Sequence, residues 1–238
     1  MDRTPTILYE DNHVIVALKA PNQLTQGDGT GDPDLLSDIK AYVKEKYEKP
    51  GDVYIGLVHR IDRPVGGLLV FARTSKAAAR LSEQVRSHAL CREYVLVCEG
   101  ETPDRFKLSD YLQKDESANM VRVLPEYLKA QGKLAVMNGR TVSYRDGKSL
   151  VAVRLETGRA HQIRVQMQNF GHPLLGDNRY GSGKPGQMIA LYGIRLSFEH
   201  PTQRQKMVFM APVPQGAFFK PFEKDLDVLQ SVWPEING

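Results

Sequence analysis

Hydrophobic and polar residues alternate along this chain with two different periods, and each period predicts a different element. Residues 7–19 have the pattern of two short strands around an Asp-Asn turn, and residues 53–62 again alternate with period two. A repeat of three and four residues predicts helices over residues 35–47, 75–88 and 161–170. The chain therefore mixes strands with helices.

Further short apolar runs predict strands in the remainder of the chain. They are the run LLVFA at 68–72, residues 92–98, 134–144 and 149–155, and two runs in the tail from Ile189. Residues 103–131 lack a clear period and are expected to form an irregular connection. Strands dominate, and they do not alternate regularly with helices. This favours an α+β fold with a largely antiparallel mixed sheet and flanking helices and loops. No repeat or linker is evident, so a single domain is expected over 1–238.

The composition narrows the class of protein further. With 238 residues, of which 41% are hydrophobic and 25% charged, the chain can bury a core without metals or disulfides. The net charge of +4 is compatible with a partner that carries phosphates, although many ordinary enzymes share it. No signal-peptide pattern or long apolar run is present, so no membrane association is expected. Cys91 and Cys98 lie too far apart on a predicted strand to bridge, which favours a reducing, cytoplasmic location.

The segment HRIDRPVGG, residues 59–67, places one carboxylate between two arginines at the end of a predicted strand. Arg60 and Asp62 are two residues apart and would share one strand face, while Arg63 would lie in the following turn. Neighbouring cations favour the ionised carboxylate, so Asp62 is a candidate nucleophile or charge stabiliser. The alternative is a purely structural ion pair.

The segment TGRAHQIRVQMQNFGHP, residues 157–173, contains a predicted helix with two different stripes. The expected buried stripe consists of Ile163, Met167 and Phe170. The other stripe, which could face a cleft, consists of His161, Arg164 and Gln168. Together with Arg159 and the amide of Gln162, it predicts an anion site near a helix N-terminus. The alternative is a solvated basic helix.

The segment CREYVLVCEG, residues 91–100, places Arg92 and Tyr94 on one face of a predicted strand. A cation beside an aromatic ring is suited to contact a nucleic-acid base, although a half-buried structural tyrosine explains the same pattern. The six histidines lack metal-ligand spacing, so no metal site is expected.

Taken together, these segments resemble the RluA-type family of RNA pseudouridine synthases. The resemblance also includes ILYEDNHVIVALKAPNQLTQG near the start, LLGDNRYG after the basic helix, and LYGIRLSFEHPTQRQKMVFMAPVP near the end. It implies the pseudouridine synthase fold and the conversion of uridine in ribosomal or transfer RNA into its C-glycoside isomer, without cofactor or metal. We expect a cytoplasmic monomer whose partner is RNA.

The resemblance also assigns roles to residues. Asp62 corresponds to the essential aspartate, which attacks the sugar or the base or assists the departure of uracil. Tyr94 corresponds to the active-site tyrosine, and Arg164 to the basic residue that pairs with the aspartate. Arg60 corresponds to the arginine that displaces the flipped base. The remaining expected RNA contacts are Arg63, Arg92, Arg159, His161 and Gln162.

Some positions differ from the family pattern. DRPVGG replaces the usual D-R-x-T-S-G, Arg92 replaces a lysine, and LYG at 191–193 replaces L-H-A. We expect no RNA-binding module ahead of the catalytic domain, because the first strand begins by Ile7. Two alternative functions remain open. One is a non-catalytic RNA-binding or ribosome-assembly factor, and the other is a metal-dependent hydrolase using His59, Asp62 and His161.

Overall fold

Eleven β-strands and four α-helices form the described part of the chain, which comprises residues 4–184, 186–231 and 233–236 of a computed structural model. These residues group into two compact units. The first unit consists of Met1–Cys91 and Arg195–Ala211, and the second of Arg92–Ile194 and Pro212–Gly238.

The first unit has a strongly hydrophobic central strand pair. Its elements are β1 (Thr6–Glu10), β2 (Val14–Lys19), α1 (Leu35–Lys46), β3 (Gly56–Leu57), β4 (Gly66–Ala72) and α2 (Ser75–Arg86). Strand β2 pairs antiparallel with both β1 and β4, and four of its residues in succession, 14–17, are fully buried. Side chains cap both helices, because Asp34 accepts from the amide of Ser37 at 2.9 Å and Thr74 from that of Ala77 at 3.1 Å.

The predicted strand over residues 53–62 is wrong for most of its length. Only Gly56 and Leu57 form a strand, and residues 58–62 are irregular. Side chains replace a neighbouring strand here: the hydroxyl of Thr25 donates to the carbonyl of Ile61 at 2.9 Å and accepts from its amide at 3.3 Å. The period of two therefore records alternating burial without a strand ladder.

Antiparallel neighbours dominate the second unit. Its strands are β5 (Cys91–Glu99), β6 (Arg105–Asp115), β7 (Met120–Leu124), β8 (Lys133–Arg145), β9 (Lys148–Leu155) and the start of β10 (Leu191–Glu199). The first residue of β5 is the last residue of the first unit. The order β5-β9-β8-β6-β7 has antiparallel pairing throughout. The helices are α3 (Gln162–Asn169) and α4 (Glu223–Ser231), and the latter was not predicted. In the first unit, the end of β10 pairs with β11 (Lys206–Met210).

The irregular connection predicted over 103–131 is also wrong, because this stretch contains the β6–β7 hairpin. Exposed charged residues such as Arg105 and Lys107 alternate along β6 with partly buried ones, so the strand lacks the strong apolar rhythm of the core. A cluster of Leu112, Val121 and Val165 packs α3 against this hairpin.

The predicted fold class is confirmed, because the mixed sheet is largely antiparallel and helices flank it. Both cysteines are free thiols, as expected. Within the described ranges, no helix combines the length and the apolarity that a membrane span requires. The single domain over 1–238 stays a prediction.

Candidate active site

Asp62 lies on a tight turn of the first unit. Its carbonyl accepts from the amide of Val65 at 3.0 Å, with Arg63 and Pro64 at the bend, and its side chain is only partly buried. Because Thr25 fixes the main chain of Ile61 immediately before it, the start of the turn is held in place. The Asp62 turn, defined as residues 61–65, thus presents a carboxylate on a fixed backbone.

A lysine that sequence reasoning missed lies next to the Asp62 turn. Lys19 ends β2 and is fully buried, and its Nζ donates to the carbonyls of Ala20 at 3.1 Å, Gln23 at 2.7 Å and Arg63 at 3.1 Å. Burial lowers the pKa of Lys19 to about 7, although the negative charge of Asp62 acts in the opposite direction. The only sequence signal is a lysine that ends an otherwise apolar strand.

The two arginines near Asp62 lie at the surface. Arg60 is exposed, and because residues 58–62 form no strand, the prediction that Arg60 and Asp62 share a strand face is wrong. Arg63 lies in the turn as predicted, where its Nη1 pairs with Oδ2 of Asp32 at 2.7 Å. Both partners of this salt bridge are about half exposed, so it contributes little to folding.

In the second unit, α3 is buried on most sides. The alternative of a solvated basic helix is wrong, because Arg164 is only 2% exposed. The predicted stripe of His161, Arg164 and Gln168 does not face one cleft either, since His161 is half-buried and Gln168 is exposed. Ile163 and Met167 are buried as predicted, and Phe170 is partly buried.

Arg164 forms a bidentate ion pair with Asp177. Its Nε donates to Oδ2 at 2.8 Å and its Nη2 to Oδ1 at 2.7 Å, with both side chains almost fully buried. Oδ1 also accepts from the amides of Arg179 at 2.9 Å and Tyr180 at 3.2 Å. Burial alone would raise the pKa of the Asp177 carboxyl, but Arg164 and these amides lower it below its ordinary value. The carboxylate therefore stays charged and orients the guanidinium.

Tyr180 and His161 complete this arrangement. The guanidinium carbon of Arg164 lies 5.2 Å from the ring centroid of Tyr180, whose hydroxyl accepts from the amide of Val121 at 2.8 Å. Nδ1 of His161 lies 2.8 Å from the same hydroxyl. We call Arg164, Asp177, Tyr180 and His161 the Arg164 cluster. The segment GDNRYG carries both Asp177 and Tyr180, but nothing in its local pattern indicates that it meets α3.

The loop before α3 is fixed by Gln162. Its buried Oε1 accepts from the amide of Arg159 at 3.0 Å and the hydroxyl of Thr157 at 2.8 Å, while its Nε2 donates to the carbonyl of Val136 at 3.1 Å. The polar atoms of Gln162 thus bond within the protein, and its RNA contact stays a prediction. Arg159 is exposed, and its Nε donates to the carbonyl of Leu134 at 2.8 Å.

Arg92 and Tyr94 lie on β5 opposite Leu155 and Val153, two residues apart and on one face. Both are buried, Arg92 being 8% exposed and Tyr94 6%. The second unit thus contains Tyr94, Arg92 and the Arg164 cluster, and the first contains Asp62 with Arg60 and Arg63. Pairing of Asp62 with Arg164 stays a prediction. Among the described residues, no group of three or more His, Cys, Asp or Glu side chains is placed to hold a metal.

Comparisons with known proteins bear on the family and the fold of this chain. The family model described as RNA pseudouridylate synthase matches residues 13–169. Ribosomal large subunit pseudouridine synthase D of Zymomonas mobilis is 32% identical over 221 residues, which cover 88% of this chain and 69% of that protein. Its counterpart of the same name from Vibrio vulnificus is 33% identical over 225 residues, covering 87% and 67%. The solved structure of human RNA Pseudouridylate Synthase Domain Containing 4 shares the fold, with a TM-score of 0.72 at 17% identity and 93% coverage of both chains.

Proposed function

From the premise that the chain belongs to the RNA pseudouridylate synthase family, we propose that its substrate is ribosomal RNA and that Asp62 carries the reaction. The enzyme is an isomerase that converts uridine in RNA into pseudouridine. In that conversion the bond between N1 and C1′ breaks and one between C5 and C1′ forms. A proton is lost from C5 and one is gained at N1, so the reaction consumes no oxidant, reductant or co-substrate.

The position of Asp62 is the observation that carries the proposal. The carboxylate is partly exposed on a turn whose neighbours Ile61 and Arg63 are held by Thr25 and Lys19. Lys19 lies close enough to Asp62 for the two charges to attract each other. Either direct attack or charge stabilisation by Asp62 requires its carboxylate form. Attack on the sugar, attack on the base and assistance to the leaving uracil all use this same anion.

Tyr94, Arg164 and Arg60 complete the proposed machinery. Tyr94 packs on the uracil of an extruded nucleotide, and the exposed Arg60 fills the space that the base leaves in the RNA. Arg164 is retained as the basic partner of Asp62 that the family resemblance implies. Arg63, Arg159 and His161 are retained as RNA contacts.

Ribosomal RNA is favoured over transfer RNA by the names of the relatives, which are synthases of the large ribosomal subunit. We also propose a cytoplasmic location, because a reducing compartment maintains free thiols such as Cys91 and Cys98. A monomer stays part of the proposal.

The test uses the purified full chain with unmodified transcripts of large-subunit ribosomal RNA and of transfer RNAs, each tritiated at C5 of uridine. Because the C5–H bond must break, isomerisation releases tritium into water. We expect release from ribosomal RNA at a few positions that sequencing then maps. Release from transfer RNA alone would contradict the substrate, and release from no RNA, with binding intact, would indicate an RNA-binding factor instead.

A further inference from the structure

Arg92 differs from the other buried basic side chains. Within the described ranges, the buried lysines and arginines are Lys19, Arg92 and Arg164. Lys19 donates to three carbonyls and Arg164 to a carboxylate, whereas Arg92 forms no ion pair or hydrogen bond with any described residue, and its Nε is sealed from solvent without an acceptor. A buried guanidinium nitrogen without an acceptor is costly to folding unless it has a ligand.

The position of the Arg92 guanidinium is nevertheless well defined. It lies against the main chain of Gly158, where an added Cβ would overlap Nη1 and lie 3.2 Å from Cζ. That loop is itself fixed, because Gln162 holds Thr157 and Arg159 on either side of Gly158. A glycine at 158 therefore makes room for the guanidinium on a rigid surface, so little ordering is required when a ligand binds.

Tyr94, which lies on the same strand face as Arg92, indicates which chemical class of ligand the guanidinium would bind. Arg92 and Tyr94 are about 6.6 Å apart along β5, a span comparable with that between the phosphate and the base of one nucleotide. We propose that Arg92 and Gly158 form a pre-built phosphate site, and that it receives the backbone phosphate of the nucleotide whose base packs on Tyr94. This inference rests on the proposed function for its ligand. In this proposal Arg92 contacts the phosphate of the target nucleotide itself. A general cationic surface would instead contact phosphates of other nucleotides in the RNA.

The first experiment measures RNA binding by Arg92→Met, Arg92→Lys and the control Arg105→Met, which removes an exposed positive charge from β6 of the same unit. With the ribosomal RNA transcript, Arg92→Met should bind about tenfold more weakly or worse. Its slope of log affinity against log salt should fall by about 0.7 to 0.9. Arg92→Lys should keep the slope, and Arg105→Met should keep both values. Equal losses in Arg92→Met and Arg105→Met would overturn the site.

A second variant tests the site without removing the charge. Gly158→Ala should displace the guanidinium and reproduce the weaker binding of Arg92→Met, although the arginine is still present. Wild-type RNA binding by folded Gly158→Ala would contradict the proposed role of the glycine.

The third experiment needs no RNA and uses inorganic phosphate as the probe. Without phosphate, Arg92→Met should melt at the same temperature as the wild type or higher, because a sealed nitrogen without an acceptor has been removed. Phosphate at constant ionic strength should raise the melting temperature of the wild type but not that of Arg92→Met. A lower melting temperature for Arg92→Met, or equal phosphate shifts, would show that Arg92 is structural.

These experiments separate the two proposals. If no RNA releases tritium while the effect of phosphate on the melting temperature depends on Arg92, the proposed function is contradicted and the anion site is supported. If the wild type releases tritium and Arg92→Met matches it in affinity, slope and turnover, only the phosphate site is overturned.

Discussion

The Asp62 turn in the first unit and the Arg164 cluster in the second are both held firmly, but by different means. Around Asp62, Thr25 and Lys19 bond to the main chain of its neighbours, and the carboxylate remains partly exposed. In the Arg164 cluster, the guanidinium and the Asp177 carboxylate bind each other and are buried. Bonds to the neighbouring main chain leave the Asp62 carboxylate accessible, whereas the side chains of the cluster hold each other in the interior.

Breaking the ion pair of the cluster should have the largest effect on stability. Asp177→Asn keeps the shape but leaves Arg164 with a buried, uncompensated charge, so we expect a loss of about 3–5 kcal/mol in the free energy of unfolding. Chemical denaturation measures it. The matched control is Asp225→Asn, which removes a more exposed partner of Arg145 and should cost about 1 kcal/mol or less. Similar losses in both variants would show that the cluster is not a buried, interdependent unit.

Lys19 predicts that stability depends on pH above neutrality. Its pKa is about 7 in the folded chain and near the ordinary 10.5 when unfolded, so the unfolded chain binds more protons between these values. Stability from this group therefore rises with pH. From pH 7 to 10, the wild type should gain about 3 kcal/mol in the free energy of unfolding relative to Lys19→Met. Parallel pH profiles for the two proteins would instead show that the three carbonyls keep Lys19 protonated.

The smallest expected effect concerns the exposed residue beside the Arg164 cluster. Arg159→Ala should weaken RNA binding a few-fold and lower the slope of log affinity against log salt by about 0.7 to 0.9. Its free energy of unfolding should change by about 0.5 kcal/mol or less, because the side chain is exposed. Titrations of the RNA transcript at several salt concentrations give the slope, and an unchanged slope would exclude a phosphate contact.

The spacing of hydrophobic residues predicted the elements in which burial follows a regular period. It failed where side chains bond to the main chain in place of a strand, and where a strand is largely polar. The β1–β2 pair and the helices α1 and α2 lie where their spacing indicated. The stretch 58–62 did not form a strand, and at Ile61 the Thr25 hydroxyl, not a neighbouring strand, bonds to the main chain. The β6–β7 hairpin was hidden by charged residues on a partly exposed strand.

The candidate site shows the same division. Asp62 and Arg164 belong to recognisable segments, and the resemblance assigned their roles. Lys19 lies 44 residues before Arg63, and Asp177 lies 13 residues after Arg164, so only the fold brings each to its partner. Contacts between residues so far apart in sequence do not affect the local spacing of hydrophobic residues, so that spacing cannot predict them.

The most direct test of the Asp62 proposal is the rate of tritium release from the ribosomal RNA transcript by Asp62→Asn, measured alongside its affinity for the same RNA. Asp32→Asn is the matched control, because it removes an exposed carboxylate that pairs with Arg63 in the same unit. Asp62→Asn should lose turnover by roughly 10³-fold or more while its affinity stays within about twofold, and Asp32→Asn should keep its turnover. Turnover by Asp62→Asn at the wild-type rate would contradict a catalytic role for this carboxylate.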